Sequence, residues 1–318
     1  MKPRDLVILI VPIAVTAALV LAPLPSPARD DAHRASTTQA APHSSAPASS
    51  APAIASPVRY RHIVRQSPPM HIHVIHVDLT DPRVRVRVCS GGDDPDGDGP
   101  WQTTLRSASQ TAEQNNLFCA VNGNFFAAKE SRKLAGRTIP YFSGNWSRAW
   151  GWAMSDGKLW GDDPGSRCSL LIDRAGHATI DRLPEHVPEG ACQIVTGSEL
   201  IVTDGKITSN GKDRAPRTSV GIDRAGRTLV LVVVDGRKLD YSAGMTSGEL
   251  AQELINLGCD RAIMLDGGGS STMVMRDPLD EHVVRVVNQP SDGHDLPISM
   301  SLERPVANVV GVEIVETK

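Results

Sequence analysis

No two cysteines in this 318-residue chain are spaced C-x-x-C; Cys89, Cys119, Cys168, Cys192 and Cys259 stand far apart. That argues against a zinc ribbon or a thioredoxin-like redox site, both of which need close thiol pairs. Excess charge is also lacking. Lys and Arg number 33 against 36 Asp and Glu, a net charge of −3 spread along the chain. Such a balance builds no basic stripe, so no nucleic-acid partner and no electrostatic membrane binding are expected. Aromatic residues are sparse at 4%, yet apolar residues reach 40%, enough for one large or two small globular domains. Neither an internal repeat nor a sustained strand–helix–strand alternation is present, which disfavours solenoids and doubly wound parallel sheets.

Long apolar runs are missing except at the start. Lys2 and Arg4 precede the stretch Leu6 to Leu24, and small residues follow at Ser26-Pro27-Ala28. Residues 1–28 therefore read as an export signal, either cleaved or kept as an N-terminal membrane anchor, with Pro12 interrupting a span-length stretch. Both forms place the bulk of the protein outside the cytoplasm, secreted or anchored, where one or two disulfides are permitted. With five cysteines, at least one stays over. Residues 29–57 are rich in Ala, Ser, Pro and His. Such a segment cannot bury enough surface to offset its ordering entropy, and reads as a disordered tether. The folded domain is expected over residues 58–318.

Within it, His71–Leu79 and Arg83–Val88 alternate apolar with polar side chains, as strands with one wet face do. Thr103–Asn116 carries Leu105, Ala108 and Ala112 at helical spacing and leads into a strand over Leu117–Val121. Between residues 140 and 215, short β-prone runs alternate with glycine turns at Asp156-Gly157, Ala175-Gly176 and Asp204-Gly205, the pattern of a hairpin meander. Ser219–Ile222 and Thr228–Val234 form a further hairpin. Ser247–Leu257 is the clearest helix: Thr246 and Glu249 fit a capping box, Leu250, Leu254 and Leu257 share a face, and Gly258 ends it. The expected class is α+β, with mixed, mostly antiparallel sheets and a few packed helices in a single domain.

The most informative stretch is 262–275, AIMLDGGGSSTMVM. Three glycines in a row lower strand stability, so their presence points to positive φ or close backbone approach. Two strands joined at a tight turn would put Asp266 beside the free amides of Gly267, Gly268 and Gly269 and the hydroxyls of Ser270 and Ser271. That nest suits an anionic or polyhydroxylated ligand. It is no Walker loop, because no Gly-Lys-Ser/Thr follows.

Other constellations carry competing readings. His71 and His73 fall on one strand face and His76 on the other, so solvated histidines are favoured over a metal site. Asp94–Gly99 begins like a calcium loop, but Leu105 occupies the twelfth position, where a bidentate Glu is needed. Neither a metal nor a cofactor is implied. Asn122 and Asn124 follow a strand in NGNFF and could grip a sugar or phosphate oxygen, or simply make a turn. Arg217 and Thr218 precede a strand, where an Arg could take a phosphate bidentately or form a surface ion pair. Asp235 ends an apolar strand, as Asp266 does, facing either a site or an Asp-Gly turn. Glu249 is explained by its capping box, yet at a helix N-terminus it could also rim an anion pocket. Asn145-Trp146-Ser147 fits a glycosylation sequon.

Eight segments in order carry a resemblance: VNGNFF (121–126), TGSELIVTDGK (196–206), RTSVGID (217–223), VVDGR (233–237), GMTSGELAQEL (244–254), MLDGGGSSTMV (264–274), NQPSDG (288–293) and RPVANVVGV (304–312). Together they resemble the phosphodiester glycosidase family. The resemblance implies hydrolysis between a sugar's anomeric carbon and a phosphodiester oxygen, on a glycan or sugar-1-phosphodiester substrate. For that reaction Asp266 and Asp235 are the expected catalytic pair, with Glu249 a third candidate carboxylate. Arg217, Thr218 and Gly267–Ser271 would hold the phosphate, while Asn122, Asn124 and Asp292 would hold the sugar. One departure bears on substrate. Family members run from PSDG almost directly into the ERPVAN-like segment, whereas here His294–Leu302 intervenes at the expected pocket mouth. The rival from another class is a non-catalytic binder of phosphodiester-linked envelope glycans using the same pocket.

Overall fold

Alternating Val and Ile positions make strands whose two faces differ, and here that pattern generates three large sheets around a shared core. The computed structural model describes residues 56–134, 136–162, 168–292 and 302–316. The expected export segment and nearly all of the tether lie outside the described residues, as does the 294–302 insertion apart from Leu302. The largest sheet has seven strands in the order Val58–Gln66, Pro69–Asp78, Thr228–Val234, Arg217–Ile222, Arg261–Met264, Glu199–Thr203, Lys206–Ile207. A second, five-stranded, runs Asp280–Val286, Met273–Asp277, Cys119–Asn122, Asn308–Ile314, Val84–Ser90. A third, also five-stranded, runs Lys158–Asp162, Trp152–Ser155, Ala191–Thr196, Cys168–Asp173, Ala178–Arg182.

One cluster joins all three sheets: Ile75, Leu231 and Val233 from the first, Val121 and Val310 from the second, Leu170 and Val195 from the third. The run Thr228–Val234 is apolar on both faces for a reason. Leu229, Leu231 and Val233 point into this core, while Val230, Val232 and Val234 pack with Leu250 and Leu254 of helix α2 (Ser247–Asn256). Helix α1 (Ala108–Gln114) covers the second sheet through Ala108 and Ala112. Truncating a side chain as enclosed as Leu250 typically costs about 2–5 kcal/mol.

Several expectations hold. The Asp156-Gly157 and Asp204-Gly205 turns are two-residue hairpins with positive φ at both positions, the geometry that twisted antiparallel strands need. The Thr246–Glu249 capping box is made in both directions. Others change. The described residues contain only two α-helices and every strand pairing is antiparallel, so the fold is mainly β and fits α+β only loosely. The helix expected from Thr103 shrinks to Ala108–Gln114, because Thr103–Thr104 pairs as a strand with Trp146–Ser147 and Ser107 caps the helix. No disulfide joins the described cysteines; burial pushes the Cys119 and Cys259 thiols up to about 12, which leaves them inert. Asn145 is buried, its amide nitrogen donating to the Glu130 and Pro140 carbonyls, so the sequon is structural.

Candidate active site

The strands before and after the glycine run do not pair with each other. Arg261–Met264 lies in the seven-stranded sheet and Met273–Asp277 in a five-stranded one, so Leu265–Thr272 crosses from sheet to sheet. This replaces the expected hairpin. Its middle is a single 3-10 turn, Gly268–Ser270, and the amides expected to be free are mostly taken: that of Gly267 donates to the Asp266 carboxyl, Gly268 to the Pro216 carbonyl, Ser270 to Gly267 and Ser271 to Gly268.

Asn122 pins the crossing. Fully buried at the end of its strand, it donates through Nδ2 to the Asp266 carbonyl at 2.6 Å. Its Oδ1 accepts from Thr218 Oγ1 at 2.8 Å and from the Thr272 amide at 3.1 Å. The Asp266 amide donates to the Gly123 carbonyl at 3.1 Å. Asn124 is similarly enclosed: its Nδ2 donates to the Trp150 and Trp152 carbonyls, and it exchanges hydrogen bonds with Asn308. Sequence reasoning put Asn122, Asn124 and Thr218 against substrate. The structure instead gives their polar atoms to the scaffold, because buried amides and hydroxyls must be satisfied internally.

Asp266 as a residue is half-buried, and its carboxyl is enclosed by this frame. It is bonded to the Ser270 hydroxyl and the Gly267 amide, with Arg304 nearby. Enclosure by protein pushes its pKa up to about 6, against the downward pull of those three groups. Arg304 bridges Asp292 and Ser270, with Nη2 donating to Asp292 Oδ1 at 2.9 Å and Nη1 to Ser270 Oγ at 3.4 Å. Its guanidinium lies over the Tyr141 ring, 4.1 Å from the centroid, while its Nε is buried without a partner. Ser271 Oγ is buried and unpartnered too.

Two glycines are dictated by this packing. At Gly268, φ is +61°, and an added Cβ would lie 2.9 Å from Arg237 Nη2. At Gly269, a Cβ would lie 2.1 Å from Arg304 Nη2 and 2.9 Å from Asp292 Oδ1. Gly269→Ala should therefore displace Arg304 and Asp292, lowering ligand affinity on the order of tenfold with little loss of stability. Calorimetric titration beside a thermal melt would check it; unaltered affinity would show that the Arg304–Asp292 pair is remote from ligand.

Remaining sequence candidates sit elsewhere or hold the frame. Asp235 is 1% exposed and accepts four hydrogen bonds: His73 Nε2 at 3.1 Å, Tyr241 OH at 3.1 Å, Asn288 Nδ2 at 2.9 Å and the Gln289 amide at 3.0 Å. With its oxygens so engaged, it anchors the 288–292 loop and presents no reactive lone pair. His73, expected to be solvated, is buried in that cluster beside Tyr60 and His62. Desolvation, then Asp235, pushes the Tyr60 and Tyr241 hydroxyls up. Arg217 donates to the Met245 and Asp213 carbonyls at 3.0 and 2.6 Å, propping the loop at Gly267 rather than offering a phosphate fork. Glu249 completes the α2 capping box and an ion pair with Arg214, which lowers its pKa against the opposing effect of burial.

Sequence reasoning did not assign Arg304 and Arg237, although both fall in segments that carried the resemblance. Arg237 had one further signal in its sequence, an Asp-Gly turn ahead of it; it adopts φ +63°, a backbone strain that the turn sustains.

Residues 115–313 match the phosphodiester glycosidase family model. The fold resembles the zebrafish N-acetylglucosamine-1-phosphodiester alpha-N-acetylglucosaminidase catalytic domain, auto-inhibited by its pro-peptide, at TM-score 0.59 and 23% identity over 82% of each chain. A hypothetical protein from Synechocystis aligns at TM-score 0.46 and 15% identity, covering 82% of this chain and 64% of its own. The SPbeta prophage-derived uncharacterized protein YomE of Bacillus subtilis is 37% identical over 78 residues, which is 24% of this chain and only 11% of that protein's length. With more than half of its residues matched by the family model, the chain belongs to the phosphodiester glycosidase family.

Proposed function

We propose that the protein is an exported hydrolase that cleaves the bond between a sugar's anomeric carbon and a phosphodiester oxygen in a cell-surface or extracellular glycan. One observation carries this reading. Asp266 is held by the glycine-rich crossing beside Arg304 and Ser270, with its pKa raised to about 6. A phosphodiester oxygen leaves readily, so strong general-acid assistance is less necessary than for ordinary glycosides. What the reaction needs is a carboxylate that attacks the anomeric carbon or draws a proton from water, together with cationic support for the departing phosphate. Asp266 supplies the first. Arg304 and Arg237 supply the second. The N-terminal signal and tether read from residues 1–57 support export, secreted or membrane-anchored.

Turnover of a panel of sugar-1-phosphodiesters, followed by release of reducing sugar, tests the proposal. Because Asp266 acts ionised, kcat/KM should fall as pH drops below about 6, in line with its raised pKa. A fall above that pH instead would make Asp266 the general acid. Saturable binding without any released sugar would replace the hydrolase by a glycan-binding module.

A further inference from the structure

Twelve aromatic side chains occur in the whole chain: four Phe, five Trp and three Tyr. Seven of them fall between Phe125 and Trp152. That segment leaves the end of the Cys119–Asn122 strand, pairs Phe126–Ala128 with Trp146–Ala149, and returns to the third sheet at Trp152. A chain so poor in aromatics concentrates them in the segment that follows Asn122.

Not all of these rings fill a core. Trp150 is 51% exposed and lies nearly parallel to Phe125, with centroids 6.5 Å apart and planes inclined by 19°. Its position is nonetheless fixed. The Trp150 amide donates to the Phe125 carbonyl at 2.8 Å, and its carbonyl accepts from Asn124 Nδ2 at 2.9 Å. Asn124 adjoins Gly123, whose carbonyl receives the Asp266 amide. The exposed indole is thus carried by the same backbone that seats the reactive carboxylate. Tyr141, in the same segment, lies under the Arg304 guanidinium and edge-on to Phe126.

We infer that Trp150, backed by Phe125, is a sugar subsite that stacks a second pyranose ring beside the one whose anomeric bond is broken. The inference rests on the proposed cleavage reading and extends it: the substrate is an oligosaccharide or polymer rather than a lone sugar phosphate. An indole held open to water is matched by a ligand with an apolar C–H face and polar edges. A pyranose has that shape, and the Asp266 site, joined to Trp150 through Gly123 and Asn124, already offers the Arg304 guanidinium to hydroxyls and phosphate. A protein partner would call for a larger contiguous apolar patch than this single ring pair.

The test uses the full chain and calorimetric titration with neutral tetrasaccharides of glucose, mannose, galactose and N-acetylglucosamine, each beside its monosaccharide. At least one tetrasaccharide should bind more tightly than its monosaccharide. Trp150→Ala should weaken that binding about tenfold, and Trp150→Phe should restore most of it. A thermal melt checks that Trp150→Ala remains folded, as the exposure of the side chain leads one to expect. Equal affinity of wild type and Trp150→Ala for every sugar, or no tetrasaccharide exceeding its monosaccharide, overturns the subsite. Trp150-dependent binding without hydrolysis of any sugar-1-phosphodiester would sink the cleavage reading while leaving the subsite standing.

Discussion

Asp266→Asn is expected to lower kcat on a sugar-1-phosphodiester by about a thousandfold or more, and at the same time to stabilise the protein at neutral pH. Both effects share one cause. The carboxyl sits where the neutral form is favoured, its pKa raised from 3.8 to about 6. The folded state therefore binds this proton more tightly than the unfolded chain does. The resulting stability is fully present below about pH 4 and is lost as pH rises through about 6. Wild type at pH 7.5 holds a charge that its surroundings disfavour; the amide holds none. The difference is on the order of 1–3 kcal/mol. Thermal melts from pH 4 to 8 should show the two midpoints diverging between those values, with the variant higher. A folded Asp266→Asn protein with wild-type turnover would remove the residue from the mechanism.

Asp235→Ala should have the largest effect on stability, a loss of roughly 3 kcal/mol or more. Removing this carboxylate strands four donors in a site that is 1% exposed: His73, Tyr241, Asn288 and the Gln289 amide. Asn288 also donates to the Ser271 carbonyl at 3.1 Å and accepts from the Met273 amide at 2.8 Å. Losing its grip on Asp235 therefore loosens the far end of the glycine crossing. Urea denaturation gives the stability, and kcat per folded molecule separates it from chemistry. Should Asp235→Asn keep full stability yet lose all turnover, Asp235 would return to the reaction as a participating carboxylate.

Local rules proved readable where a few neighbouring residues decide the outcome. The α2 capping box, the Asp-Gly hairpins and the doubly buried Thr228–Val234 strand follow from spacing alone. The crossing at Gly267–Ser271 does not, because a strand–glycine–strand pattern is the same whether the strands pair or part. Asp235 and Asp266 look alike in sequence, each ending an apolar strand before glycine. What separates them is the company they keep, since His73 and Asn288 reach Asp235 from more than fifty residues away. Arg217 and Arg304 are distinguished in the same manner. One is saturated by carbonyls of its own loops, and the other is turned toward Ser270 and Asp292. Long-range partners of this kind leave no periodic trace.

The sheet-to-sheet passage at Gly267–Ser271 has a mechanical corollary. A backbone segment fastened at each end to a different ladder takes its curvature from the fasteners, much as a suspended cable is shaped by its towers. Docking of the two sheets and the shape of the turn that carries Asp266 are thereby a single event. Conditions that let the layers slip would distort the Asp266 turn before either sheet begins to melt.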